Sequence, residues 1–354
     1  MKRIILVGAG HAHLECIQQG SHPDVNWIVI NPSRYQYYSG MFSGLADGTY
    51  TLDETRIDVE ALCERHGKTW IEDRVIRIDA ANKQVICQSG QILSYDIVSC
   101  NIGSRDWEIA GAPRVTIKPN YRIDQALEVF RTAVSPVIVG SGAAAVEMAA
   151  SFRSAGSPVT LIHEEPVLAG HPAGPKVAKR LDQLGVKRIV DRFDTLEGQT
   201  AWLQSGQSLE TDALLFLGGA RASKLFQESD LYCDAKGFLL VHETLQALED
   251  PSIFAVGDCA TLTAYPDTPK NGVTAVRQAP VLLTNLLRFV NQERLVTFHP
   301  QRRYLTILAL GGKQATLLYG RHHQTNNLSW CLKQWIDRRF IQNYTIGSTH
   351  HRQR

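Results

Sequence analysis

The strongest constraint on the fold is an internal repeat. Residues 3–17, RIILVGAGHAHLECI, and 136–149, PVIVGSGAAAVEMA, share one pattern: a short apolar, β-branched run, Gly-x-Gly, then small residues and a glutamate opening a helix. The offset of 132 residues superposes Gly8 on Gly140, Gly10 on Gly142 and Glu15 on Glu147. Each copy continues into a second apolar segment, NWIVINPS (26–33) and SPVTLIHEE (157–165), at the distance expected for the second strand of a βαβ unit. Two strand–loop–helix units of one kind are therefore expected in an α/β chain.

The residue types explain the pattern. A first glycine permits the tight turn after the strand, and a second lets backbone N–H groups approach a pyrophosphate. The helix N-terminus adds the positive end of its dipole. Gly8, Gly10, His11 and Ala12 of the first copy, and Gly140, Gly142 and Ala145 of the second, are thus expected to bind dinucleotides in two Rossmann-like domains. The third glycine of the fingerprint is replaced by His13 in the first copy and Ala145 in the second. Alanine still allows close helix–strand packing, whereas histidine is larger. Local packing and capping, or a part in chemistry, are both open for His11 and His13.

A third element lies far downstream, where EDPSIFAVGDCATL (249–262) reads as an apolar strand ending in Gly257-Asp258. An aspartate there suits the far end of an extended ligand held by the first unit, at a ribityl hydroxyl or near the second phosphate. That makes the first ligand FAD rather than NAD.

At 354 residues the chain is long enough for two or three domains. With 44% hydrophobic and 20% charged residues, it is neither disordered nor a repeat fibre. No uncharged apolar run approaches the roughly 18 residues of a spanning helix, and Met1-Lys2-Arg3 leads into only Ile4–Val7, so neither signal peptide nor transmembrane helix is expected. The seven cysteines include no CxxC pair, which argues against a local redox disulfide or zinc ribbon and suits a reducing cytoplasm. No metal site is expected. Residues 288–354 carry eleven Lys/Arg against two Asp/Glu, leaving 26 against 33 in the body. Such a basic tail suits an anionic surface or is a solvated face.

The segments GAGHAH, YDIVSCNIGS (95–104), GSGAAAVE, LLFLGGARA (214–222) and IFAVGDCA (253–260) resemble the FAD-dependent pyridine nucleotide-disulfide oxidoreductase superfamily. GHAHLE (10–15), PSRYQYYSGMFSGLADGTY (32–50), PKNGVTAVRQAPVLLTNL (269–286) and LKQWIDRRF (332–340) resemble its branch near type II NADH dehydrogenases that is linked to selenide, water dikinase. The resemblance implies an FAD domain from 1–115 and 224–290, an NAD(P)H domain from 116–223, and a small α+β C-terminal domain from 291–354. The last would hold strands near 304–309 and 315–319 and an amphipathic helix at 328–344. Gly111-Ala112-Pro113 and Gly218-Gly219 are the expected crossovers.

Further site residues follow. Asn31 ends the second strand where an acid usually holds the adenosine ribose, and Arg34 is placed to reach the adenine or a phosphate. Glu164 ends the corresponding strand of the second unit and suits both ribose hydroxyls of NADH, so NADH is favoured over NADPH. Gly103 and Gly219 belong to the strand-end motifs. The resemblance implies that Tyr38 stands where disulfide reductases carry redox cysteines, that Glu147 lies beside the nicotinamide, and that Lys270, Gly272, Val273 and Gln278 border the flavin and acceptor. Glu147, Lys270 and Gln278 are the expected catalytic residues, Lys270 stabilising reduced flavin electrostatically.

In the helix, Leu328, Leu332, Trp335, Ile336, Phe340 and Tyr344 form an apolar stripe, with Lys333, Asp337, Arg338 and Asn343 off it. This stripe docks on the core or on a membrane. The implied activity is hydride transfer from NAD(P)H to flavin, then electron transfer without a disulfide to a small acceptor such as a quinone. The alternative is a slowly turning redox sensor tied to selenium metabolism or a membrane surface. Expected partners are the acceptor, a peripheral membrane contact through the basic C-terminal region, and a second copy in a homodimer, with no nucleic acid. The expected place is the cytoplasm, at the inner face of the membrane if bound there.

Overall fold

The computed structural model describes residues 1–107 and 114–345, so the crossover expected at Gly111-Ala112-Pro113 lies outside the described residues. The two copies of the repeat stand at the centres of two five-stranded sheets. The first has the order Ile253–Ala255, Ile97–Cys100, Lys2–Val7, Val25–Asn31, Thr69–Glu72. The second has the order Arg114–Val115, Ala213–Phe216, Pro136–Val139, Thr160–His163, Lys187–Val190. Every neighbouring pair in both is parallel. The runs Ile4–Val7 and Pro136–Val139 are continuously apolar because their sheets are covered on both faces, leaving no solvent side for an alternating polar residue.

The repeat extends further than its sequence signal. Each third strand leads into a three-stranded antiparallel sheet: Val75–Asp79, Gln84–Cys87 and Ile92–Ser94 in the first half, Phe193–Glu197, Thr200–Leu203 and Ser208–Glu210 in the second. The strand Ile253–Ala255 then returns to the edge of the first sheet, carrying Gly257-Asp258 to the carboxyl ends of its parallel strands.

Four helices matter for the site: α1 (His11–Gln19), α2 (Ala143–Ser154), α3 (Gly272–Val290) and α4 (Asn327–Thr345). Helices α1 and α2 follow the two glycine loops, and α1 packs on α3. The loops need glycine for a steric reason. Gly8 has φ +82° and a Cβ there would stand 2.7 Å from the Asn101 carbonyl oxygen; Gly140 has φ +141° and would meet the Leu217 carbonyl at the same 2.7 Å.

The C-terminal part forms an antiparallel sheet of Leu305–Ala309, Ala315–Tyr319 and His322–Asn326. Two of these strands were expected. The third, HHQTN, has no apolar alternation and is held by backbone pairing.

Helix α4 docks on the protein, but on a different face from the one its apolar stripe predicts. Lys333 and Asp337 are buried with Ser329, Ile341 and Tyr344, while Leu328 is 78% and Trp335 57% exposed. Leu332, Ile336 and Phe340 are half-buried. The apolar stripe is therefore split: the buried charges are partnered inside the molecule, and Leu328 and Trp335 are left exposed. Among the described residues no helix is long and apolar enough to cross a membrane.

Candidate functional site

A cleft of about 330 Å³ opens at the carboxyl ends of the first parallel sheet, where ligands of doubly wound sheets bind. Gly8, Gly10, His11, Asn31, Gly103, Asp258 and Gly272 all line it, so one wall collects residues from five distant segments. Asn101 holds the wall together. Its carbonyl accepts from the Gly10 N–H (3.1 Å), its Oδ1 from Ala12 (3.0 Å), and its Nδ2 donates to the Val256 carbonyl (3.0 Å). Ala12 thus contributes a backbone donor to the framework rather than to the cleft surface. Asn101 was not singled out from the sequence; its signal is its place at the end of a buried strand, where a lone polar side chain has backbone groups to satisfy.

Asn31 spends its carboxamide locally, accepting from Ala9 N at 3.0 Å and donating to Ser33 O at 2.6 Å. His13 is fully buried between the Gly8 carbonyl (2.5 Å) and Ser99 Oγ (2.8 Å), and burial lowers its pKa to about 4. It is a packing residue that pins the loop to the strand beneath. His11 differs. Burial lowers its pKa to about 4 against the raising influence of Asp258, its Nε2 is buried without a partner, and it faces Gly272.

Four cations and three carboxylates, Asp73, Glu228 and Asp258, line the cleft. Lys118, absent from the sequence expectations, lines it and donates to Ser104 Oγ at 2.6 Å, with Asp258 at 3.6 Å. Arg74, Arg105 and Lys224 also line it. The N-cap of helix α1 is Gly10, which has no side chain, and Asn101 Oδ1 takes the first-turn N–H groups of Ala12 (3.0 Å) and His13 (3.4 Å). The glycine loop at the start of α1, a cation excess of one on the walls and an orphaned imidazole fit an anionic dinucleotide such as FAD.

Several expected residues stand elsewhere. Arg34 is not on the cleft wall and pairs at the surface with Asp58 (2.7 Å) and Glu60 (3.2 Å). The Lys270 ammonium points to the Ala260 carbonyl (2.6 Å), Thr261 Oγ1 (3.0 Å) and the Phe238 ring (3.8 Å), which spends its charge away from the cleft. Gln278 is buried and accepts from Gly257 N at 2.7 Å, so it sets the turn that carries Asp258. Gly257 has φ +71° and Val273 is 37% exposed beside Gly272.

Beside the cleft lies a buried polar group that the sequence did not reveal. Tyr38 stacks on Phe340 (4.3 Å) and meets His11 edge-on (5.4 Å); Phe340 also lies 5.1 Å from His11. Next to these rings, Lys333 of α4 donates to Gly40 O (2.6 Å) and Asp337 (3.1 Å), and stands 4.0 Å from Glu147 of α2. Glu147 accepts from Ser43 Oγ (3.3 Å) and Ala309 N (2.8 Å), while Tyr50 donates to Asp337 at 3.3 Å. Burial raises the pKa of both Glu147 and Asp337, and the Lys333 ammonium opposes that rise. Burial acts to lower Lys333, but the two carboxylates hold its pKa above the ordinary value. Two carboxyls thus share one ammonium.

All seven cysteines are unpaired. Cys100 ends the strand Ile97–Cys100 and Cys259 lies in the turn past Ile253–Ala255; burial pushes Cys259 up to about 11 and Cys100 well above its usual range, so both are thiols at neutral pH.

In the second half, Gly140 and Gly142 form the loop before α2, with Ala145 buried against the sheet and Gly219 at φ +108° at the neighbouring strand end. Glu164 stands just past Thr160–His163, exposed.

The sequence pattern of the family described as pyridine nucleotide-disulphide oxidoreductase matches residues 2–279. NADH dehydrogenase-like protein YutJ of Bacillus subtilis (strain 168) is 25% identical over 334 residues, covering 89% of this chain and 91% of that protein. Two solved structures share the fold. The sulfide:quinone oxidoreductase of Aquifex aeolicus has a TM-score of 0.81 at 16% identity, covering 99% of this chain and 93% of its own. NDH2 of Plasmodium falciparum in complex with NADH has a TM-score of 0.80 at 13% identity, covering 99% and 98%.

Proposed function

The chain belongs to the pyridine nucleotide-disulphide oxidoreductase family, and from that premise we propose that it passes electrons from NADH through FAD directly to a small two-electron acceptor of the quinone class. It is an FAD-dependent NAD(P)H oxidoreductase. FAD, when bound, supplies the centre that takes up a hydride and gives up two electrons. The protein's own residues do the rest.

The Gly8-x-Gly10 loop and the start of α1 receive the pyrophosphate, Asp258 and Lys118 flank the sugar-phosphate chain, and the Gly140-x-Gly142 loop with Glu164 receives the nicotinamide coenzyme. The observation that carries the acceptor reading is the composition of the cleft's edge. Where a dithiol would have to stand there are the rings of His11, Tyr38 and Phe340, with Glu147, Lys333 and Asp337 behind them. Flat apolar walls suit a planar acceptor, and the Lys333 ammonium shared by Glu147 and Asp337 is the proton-bearing group behind them. The names of the sulfide:quinone oxidoreductase and of the NADH-bound NDH2 agree with this reading. Exposed Leu328 and Trp335, beside Arg338 and Arg339, support a peripheral contact with an anionic membrane, to be tested by vesicle flotation.

The test is anaerobic. The purified protein should show oxidised-flavin absorbance near ~450 nm, bleach on adding NADH, and recover its colour with a soluble quinone over many turnovers. A folded preparation without flavin, or one that bleaches and is reoxidised by no quinone, refutes the reading.

A further inference from the structure

The coenzyme subsite of the second half contains a cation that its sequence motif does not announce. In that sheet Thr160–His163 and Lys187–Val190 are parallel neighbours, with His163 opposite Val190 and the Asp191 N–H donating to the His163 carbonyl at 3.2 Å. The residues that follow the two strands are therefore brought side by side. Glu164 follows the first, and Asp191 and then Arg192 follow the second; Arg192 Nε stands 3.8 Å from Glu164 Oε2, both side chains 59% exposed. The nearby Arg188 is engaged elsewhere, bridging Asp182 at 2.7 Å.

We propose that Glu164 and Arg192 form a two-sided recognition site for the adenosine ribose, which lets the enzyme use NADPH as well as NADH. This rests on the reading of the Gly140-x-Gly142 loop as the coenzyme site. In doubly wound folds the ribose of a dinucleotide held at such a loop reaches the end of the second strand, where an acid accepts from the ribose hydroxyls and an arginine receives a 2′-phosphate. Here both are present. With a free ribose, Glu164 accepts from the hydroxyls and Arg192 stays paired to it. With a 2′-phosphate, the phosphate replaces the carboxylate as the partner of the guanidinium. Arg192 is exposed and its contact with Glu164 is a single long one, so exchanging partners breaks little. A guanidinium matches phosphate better than a carboxylate in charge and in donor geometry. Glu164 repels the same phosphate, which makes the expected preference between coenzymes small.

Binding of NADH, NADPH, 5′-AMP and 2′,5′-ADP to the FAD-loaded protein measures this directly, by calorimetry for the nucleotides and by anaerobic flavin bleaching for the coenzymes. The wild type should bind NADH and NADPH within about tenfold of each other, about 1.4 kcal/mol. Arg192→Ala should lower the NADPH-to-NADH affinity ratio by about tenfold or more, with 2′,5′-ADP falling against 5′-AMP in parallel, as expected for loss of a charge-assisted phosphate contact. Arg192→Lys should restore part of the ratio, and Glu164→Gln should raise it. Unchanged ratios in Arg192→Ala, or a wild type that binds no NADPH while NADH bleaches the flavin, overturn this inference and leave the coenzyme site standing. Failure of both coenzymes overturns the site reading itself.

Discussion

Replacing Lys333 by Met removes the ammonium at the centre of the buried group and leaves its two carboxyls facing one another. Lys333 and Asp337 have side-chain exposures of 11% and 4%, and Glu147 19%, so little solvent screens the change. Deleting one partner of such a pair costs about 3–5 kcal/mol when the remaining charge persists. The carboxyls can escape by protonating, and that makes the loss depend on pH. Burial already raises both pKa values, and removing the cation that opposes this raises them further. A carboxyl whose folded pKa lies above its unfolded value of about 4 binds more protons in the folded state. Its contribution is fully present below the unfolded pKa and is lost as pH rises through the folded one, at up to about 1.4 kcal/mol per pH unit for each extra proton. Lys333→Met should therefore be closest to wild type at about pH 4 and lose several kcal/mol by pH 8. Urea unfolding of the FAD-loaded protein, followed by flavin and tryptophan fluorescence across that range, measures it. A loss equal at every pH, or none at pH 8, would refute the shared-ammonium arrangement.

Other substitutions test the remaining parts. His13→Gly restores the third glycine of the fingerprint yet should destabilise the protein by about 3 kcal/mol in chemical denaturation, because it empties a filled site and strands Ser99 Oγ. Lys270→Met should leave the flavin midpoint potential within about 30 mV, one tenfold step for a two-electron couple, while lowering the unfolding midpoint. A large potential shift in spectroelectrochemistry would return Lys270 to the cleft. Cys100→Ser and Cys259→Ser should each keep NADH oxidation with a soluble quinone within about threefold, under 1 kcal/mol of barrier. Loss of turnover in either would show a thiol relay.

The parts of the molecule that were legible in the sequence are those governed by short-range rules. A glycine at positive φ beneath a backbone carbonyl has no substitute, so Gly8 and Gly140 announce two loops. The runs Ile4–Val7 and Pro136–Val139 before them must be apolar because both faces of their sheets are covered. Asp258 was readable for a related reason, since it follows a buried strand and a second constrained glycine. The side chains that did not follow expectation are long ones, whose direction is set by partners remote in the chain. Lys270 is near the cleft in sequence, but a carbonyl and an aromatic ring on the other side hold its ammonium. Arg34 follows the expected strand and finds Asp58 instead.

Helix α4 shows the same rule at larger scale. Periodicity assumes that charge faces water, and on that assumption Lys333 and Asp337 belong outside. Their burial is intelligible only with Glu147, some 186 residues before Lys333 in the chain, and with the Gly40 carbonyl. A single helix read alone contains neither. The inversion also has a functional consequence. By turning Lys333 inward, α4 joins the first glycine half through Gly40, the second through Glu147, and the cleft's edge through Phe340. The C-terminal segment thereby completes the proposed acceptor site, and its exposed Leu328 and Trp335 are what that orientation leaves over for a surface contact.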